Sequence, residues 1–372
     1  MADKLLIKNA KNLGDEKIEI LIEDGKITEI AQEIKVEDEI TVLDLEHKSY
    51  VSAGWIDCHV HGYEGMDLYS DDPDLIGIQS GVTTIIDAGT TGADDIADFE
   101  ARVKDKATNV FAMMNISRVG LKAQDELSKM ENIDEVLFCE TYEKHSDFIV
   151  GVKARMSKTV IGDNGIAPLK KAVSLRKQLN LPLMVHIGSN PPELSDILSL
   201  LGSGDIVTHC FNGKPNGIAD KGTNKIKDFV TEAYKKGIIL DVGHGTDSFN
   251  FEVANLAFNE GIIADSISSD IYKRNRVGGP VYNLATTMEK LMCVGYTLEE
   301  VIEKVTSAPA EIFNLHDKGR LEIDCDGDLT IFDVVSKDKE LVDSNGNKET
   351  TGTCIVPRYA IVGGKIHECE LS

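Results

Sequence analysis

Two histidines, His59 and His61, flank one valine at the end of an apolar run, Tyr50-Val51-Ser52-Ala53-Gly54-Trp55-Ile56-Asp57-Cys58. On an extended strand, side chains two apart point the same way, so both imidazoles can face one metal ion. Four more residues with ligand chemistry follow, each at or near the end of its own apolar run. These are Lys153 after Ile149-Val150-Gly151-Val152, His186 after Leu183-Met184-Val185, His209 after Ile206-Val207-Thr208, and Asp270 after Ile267-Ser268-Ser269. A lone His-X-His arises often by chance, and one His ending a strand is more often a hydrogen-bonded core residue than a ligand. Five strand ends supplying such residues in order weigh far more. Imidazole nitrogen and carboxylate oxygen are the donors that a borderline divalent ion such as zinc takes.

Lys153 is the odd member, because a charged, unpaired lysine ending a buried strand is costly. One reading pairs it with Asp270 or a neighbouring carboxylate. In the other, burial and nearby cations depress its pKa, and the neutral amine adds CO2 to become a carbamate that can bridge two ions. His59, His61 and Asp270 would then hold one ion, and His186 and His209 the other. Asp270 either caps the loop that follows or serves as ligand and proton carrier. Arg155, two after Lys153, faces the same side of an extended strand, and its planar fork suits a substrate carboxylate; it could equally neutralise neighbouring acids. His244, between Gly243 and Gly245, either touches substrate or hydrogen-bonds a loop. Arg118, Lys214, Lys273, Arg274 and Arg276 are weaker candidates, read first as solvated loop charges.

Such a set needs strands that end side by side. Apolar or β-branched runs recur at 82–88, 110–116, 148–154, 181–187, 206–211, 238–243 and 264–269, with helical patterns between them, as at 167–180 and 225–236. With the run ending at His61, this predicts eight strands and an α/β fold, a (β/α)8 TIM barrel over 54–317. A doubly wound open sheet is the runner-up. The barrel is preferred because its active site collects residues from the carboxyl ends of several strands. Residues 1–53 and 318–372 carry short strand-like runs with Asp24-Gly25 and Gly363-Gly364 as turns. They are expected to pair into a small flanking β-sandwich domain built from both termini, with 336–352 a surface loop. The largely polar insertion 119–134 is a lid candidate.

The 372 residues carry a formal net charge of −24, which argues against nucleic acid or an anionic membrane surface as partner. No basic segment leads into an apolar stretch at the start, and no run of eighteen apolar residues occurs. The 7 cysteines are scattered without a Cys-X-X-Cys, so neither a disulfide framework nor a thiolate zinc site is expected, and a reducing cytoplasmic location is.

Together these residues resemble the amidohydrolase superfamily, whose binuclear members carry this order of ligands on barrel strands one, four, five, six and eight. Gly54-Trp55-Ile56-Asp57-Cys58-His59-Val60-His61 is similar to its first-strand signature, with Ala53 where proline is usual. Gly81-Val82-Thr83-Thr84, Ser307-Ala308-Pro309-Ala310, Gly319-Arg320-Leu321 and Gly327-Asp328-Leu329 resemble further family segments. Gly151-Val152-Lys153-Ala154-Arg155 and His209-Cys210-Phe211-Asn212-Gly213 point to the dihydroorotase-like and adenine-deaminase-like group that includes deacetylases. The resemblance implies a metal-dependent hydrolase with two divalent ions, zinc foremost, and N6-carboxylysine at Lys153. A metal-bridging hydroxide would cleave an amide or ester bond, with Asp270 relaying its proton. The leading expectation is a deacetylase of N-acetyl amino acids or acetylated hydroxy acids, a small and anionic substrate. The alternatives are a cyclic-amide hydrolase, an adenine or purine deaminase and, last, a non-enzymatic scaffold, which six filled ligand positions disfavour. A homo-oligomer is compatible with the sequence.

Overall fold

The computed structural model describes residues 4–36, 40–220 and 222–370. The outermost residues of the two expected flanking segments, 1–3 and 371–372, lie outside the described residues, as do 37–39 and 221. Seven parallel strands follow one another in chain order around a curved sheet: β1 (Trp55–Val60), β2 (Val82–Ala88), β3 (Asn109–Asn115), β4 (Ile149–Met156), β5 (Leu183–Ile187), β6 (Ile206–Thr208) and β7 (Ile239–Leu240). Helices cross between them, among them Ile96–Val103, Glu135–Lys144, Ala167–Leu179 and Leu194–Leu200. Strictly sequential parallel pairing is the topology of a (β/α)8 barrel, not of a doubly wound sheet, which reverses strand order.

The eighth strand, expected at 264–269, differs from the expectation. It forms no regular ladder, only the isolated parallel bridges Asp241↔Ser266 and Val60↔Ile271. Closure comes from backbone bonds on both sides: the amides of Val242, His244 and Gly245 donate to Ser266, Ser268 and Ser269, while Asp270 N donates to His59 O at 2.7 Å and His61 N to Ile271 O at 3.0 Å. The reason lies in three serines. Ser266 and Ser268 hydroxyls donate to the Asp241 carboxylate, and Ser269 donates to Asp57 through its amide at 3.0 Å and through its hydroxyl. Buried carboxylates thus do for this segment what a ladder does elsewhere.

Inside the barrel, Ile56, Cys58, Ile86, Met113, Met184 and Ile206 pack into one apolar cluster with Ala310, from the helix Ser307–Ile312, and Phe313 just after it. Strands from both ends of the chain join in a second, eight-stranded sheet, in which Tyr50–Ala53 pairs antiparallel with the start of Leu329–Val342. Its core includes Leu5, Ile7, Ile20, Ile22, Ile331 and Ile361. The expected surface loop at 336–352 is instead the far half of a long hairpin, Leu329–Val342 against Lys348–Val362, with its turn at 343–347. Its polar residues reflect exposure of the paired strands, not absence of pairing. The helix expected at 225–236 begins only at Asp228, because Lys225–Ile226 pairs with Ala219–Asp220. The insertion 119–134 is tied down at Leu121 and Leu127, whose amides donate to the carbonyls of Thr90 and Val160.

Candidate metal centre and active site

The six donor candidates line one cavity of about 250 Å³ at the carboxyl ends of the barrel strands. His59 and His61 come from the end of β1, Lys153 from β4, His186 from β5, His209 from just after β6 and Asp270 from the closing segment. His61 Nε2 lies 3.1 Å and His59 Nε2 3.5 Å from Asp270 Oδ1, and one donor atom from each of the three falls within 4.8 Å of the others. The His186 and His209 ring centroids are 4.5 Å apart, and those of His59 and His209 5.1 Å.

The rings are oriented from behind. Thr90 Oγ1 donates to Asp87 at 2.7 Å and so offers its lone pair to Nδ1–H of His61, at 2.7 Å. Thr208 Oγ1 donates to Asp241 at 2.7 Å and holds Nδ1 of His59 at 2.8 Å. His209 donates Nδ1–H to the Gly243 carbonyl at 2.6 Å. Each arrangement leaves an unprotonated Nε2 facing the cavity, the tautomer a metal ligand requires. His186 is turned the other way, its Nε2 3.1 Å from Ser157 Oγ, so Nδ1 is its free donor. Burial lowers the pKa of His59 to about 4 and of His209 to about 3, and holds His186 well below the imidazole range, so all three are neutral. Burial works against the Asp270 carboxylate, and any positive charge on the facing rings of His59, His61 and His209 draws it below the usual carboxylate range.

Lys153 decides between its two readings. It is 1% exposed, and its Nζ meets His59 Nε2 and Met184 Sδ, both at 3.2 Å. Among the described residues no carboxylate lies within 4.0 Å, so the expected salt bridge to Asp270 or a neighbour is absent. Burial lowers its pKa to about 8, far enough that roughly a tenth of the amine is neutral at pH 7. The donor set fits a divalent ion. Two donors about 2.0–2.1 Å from one tetrahedral ion sit about 3.3 Å apart, close to the two distances measured from Asp270.

The backbone is strained where it delivers these donors. His209 (φ 64) and Asp270 (φ 50) lie in the left-handed region, which costs non-glycine residues free energy and persists where surrounding contacts over-determine it. Two glycines clear the space. A Cβ on Gly89 would stand 2.7 Å from Lys153 Cβ, and one on Gly245 2.3 Å from Asp270 Oδ2.

The remaining candidates separate. Arg155 lines the cavity, but its Nε lies 2.9 Å from Oε1 of Glu126, a buried residue of the 119–134 insertion. Burial pushes Glu126 up to about 7 even with Arg155 beside it. His244 does not line the cavity, contrary to the substrate contact considered for it. Its ring is fully buried, stacks on Phe249 at 4.8 Å, and receives Lys290 Nζ at Nε2, 2.7 Å away. Arg118 pairs with Asp94 and Arg276 with Asp71, while Lys214 reaches the cavity. Sequence reasoning gave no role to Tyr69, Tyr272 and Asp247, which line the cavity, or to the orienting carboxylates Asp57, Asp87 and Asp241. For those three a signal existed, since each is an acid inside an apolar run; Glu126 had none.

Residues 321–368 match a family model described as a deacetylase-like composite domain. The chain is 53% identical to a deacetylase of Enterococcus faecalis over 98% of this chain and 99% of that protein. A solved structure of an adenine deaminase, also 53% identical, superposes with a TM-score of 0.96 over 98% of this chain and 99% of the other. One of a dihydroorotase, 34% identical, gives 0.90 over the same shares. These proteins carry three different activity names on one architecture, so the fold alone does not choose the reaction.

Proposed function

The chain belongs to the deacetylase group of the amidohydrolase superfamily and is a metal-dependent hydrolase; from that premise we propose that it removes acetyl groups from small carboxylates, either N-acetyl amino acids or acetylated hydroxy acids. The observation that carries the reading is the buried Lys153 amine, set without a counter-ion among imidazole nitrogens that are already neutral and already oriented. A structural lysine would have a carboxylate partner; one that becomes a carbamate needs none.

In this reading His59, His61 and Asp270 would hold one ion and His186 and His209 the other, with carboxylated Lys153 as a further anionic ligand. Two divalent ions, zinc by the donor chemistry, would supply an acidified water and polarise the acyl carbonyl. Asp270, ionised, accepts the proton of the attacking water and returns it to the leaving amine or alkoxide as the acyl bond breaks, giving acetate and the free amino or hydroxy acid. The threonine and carbonyl partners keep the rings in place while charge moves. A cavity of about 250 Å³ suits a small substrate. The barrel of 54–317 carries all of these groups, with 1–53 and 318–372 as its flanking domain. Seven free cysteines suit a reducing compartment, and among the described residues no helix is long and apolar enough to cross a membrane.

The test is a screen of zinc-loaded protein against N-acetyl D- and L-amino acids and acetylated hydroxy acids, read as acetate release. Adenine, read as ammonia, and dihydroorotate, read as ring opening, run alongside. Acetate release at a kcat/KM well above those two reactions is expected. Ammonia or ring opening as the dominant product replaces the reading.

A further inference from the structure

Two cations outside the donor cluster reach the site cavity, Arg155 and Lys214, and they differ in what they already face. Arg155 is ion-paired with Glu126: its Nε lies 2.9 Å from Oε1 without hydrogen-bond geometry, while Nη2 donates to Oε2 at 3.2 Å and to the Gln124 carbonyl at 3.1 Å. The Glu126 side chain is 0% exposed, so a carboxylate arriving at Arg155 would meet a second, buried carboxylate. Lys214 is half-buried, and among the described residues its ammonium has neither a carboxylate within 4.0 Å nor a hydrogen-bond acceptor.

Its backbone, by contrast, is firmly held. Lys214 N donates to Asn212 Oδ1 at 3.0 Å, Gly217 N donates to Lys214 O at 2.9 Å, and Asn212 Nδ2 donates to the carbonyl of His209 at 2.8 Å. Gly213 packs so closely on the tip of the long hairpin that a Cβ would come within 2.7 Å of Asn345 Oδ1. Asn345 in turn accepts from Asn250 Nδ2 at 2.9 Å. The flanking sheet therefore braces the loop that carries Lys214.

We propose that Lys214 is the specificity-determining residue that pairs with the substrate carboxylate, and that Arg155, already facing Glu126, positions the 119–134 segment. The physical reason is the unspent charge. In a partly desolvated cavity an unpaired ammonium on a fixed loop gains the full attraction of an incoming anion, whereas the guanidinium shares its own with Glu126. The proposal rests on the deacetylase reading and names what that reading leaves open, the group that recognises the acid.

The test compares wild type, Lys214→Met, Lys214→Arg and Arg155→Met on both enantiomers of N-acetylalanine and N-acetylalaninamide, which differ in the carboxylate charge. Lys214→Met should lower the acid-over-amide ratio of kcat/KM by roughly 10- to 100-fold, the worth of one charge-assisted bond. Lys214→Arg should restore most of it, and Arg155→Met should weaken acid and amide alike. An unchanged ratio in Lys214→Met, or a collapse in Arg155→Met alone, overturns the proposal. If wild type releases no acetate, the functional reading has failed, and the same two compounds become ligands for calorimetry. A tenfold or greater drop in the acid-over-amide affinity ratio in Lys214→Met then supports Lys214; an unchanged ratio, or no binding of the acid, overturns it.

Discussion

Lys153→Met should make the metal-free protein more stable while abolishing its ability to hold the metal pair. Burial lowers the Lys153 pKa from 10.5 to about 8 in the folded chain. Each unit is worth about 1.4 kcal/mol, so at pH 7 the metal-free folded state carries a penalty of about 3 kcal/mol. The sign follows from proton counts: between pH 8 and 10.5 the unfolded chain binds the proton and the folded chain does not, so stability rises with pH across that window. Below pH 8 the penalty is fully present. Methionine has similar volume and no charge, and it enters a pocket that already contains Met184 Sδ at 3.2 Å from Nζ. Urea unfolding of both chelator-stripped proteins at pH 7 should therefore favour the variant by about 3 kcal/mol, with the gap narrowing to about 2 kcal/mol by pH 9. With zinc and bicarbonate the order should invert, because only wild type gains ligand-linked stability. A variant no more stable than wild type at pH 7, or a gap that does not shrink as pH rises, would refute the account of Lys153 as a buried amine poised to lose its proton.

Asp270→Asn removes the proposed proton carrier while leaving the backbone bond to His59 in place, so kcat should fall by roughly 10²- to 10⁴-fold with an unchanged circular dichroism spectrum; a loss of only a few-fold removes that role. Glu126→Ala leaves Arg155, 11% exposed at its side chain, as an uncompensated charge. It should cost about 3 kcal/mol in urea melts, and a change under about 0.5 kcal/mol would show that water already serves the guanidinium. Gly245→Ala forces a Cβ towards Asp270 Oδ2 at a φ of 54°. It should cost about 1–3 kcal/mol and depress turnover as well, so wild-type kinetics would mean that the aspartate moves freely.

Much of the donor set was legible because strand ends are local features. An apolar run closing on His, Lys or Asp can be read from a few consecutive residues, and alternation places His59 beside His61 whatever the rest of the chain does. What could not be read are pairings across long stretches of chain. Arg155 offered the same fork to a substrate or to an acid, and only folding brings Glu126 to it from 29 positions away. His244 ended its run as the candidate ligand histidines end theirs, yet Lys290, 46 positions on, takes its Nε2. The 336–352 stretch read as a loop because exposed strands carry polar residues, and a sequence does not announce which of its polar segments will find a partner.

The identity and order of the six donor candidates, and the successive strand ends that present them, were determined by the sequence itself, through hydrophobic period and the chemistry of the residue closing each run. Which cation at the cavity remains unspent, which histidine is walled in, and how the last barrel segment hangs from Asp57, 212 positions before Ser269, were decided only by the tertiary structure. Those outcomes depend on distances between residues far apart in the chain, and Coulomb and hydrogen-bond energies respond to such distances while residue type and spacing do not record them.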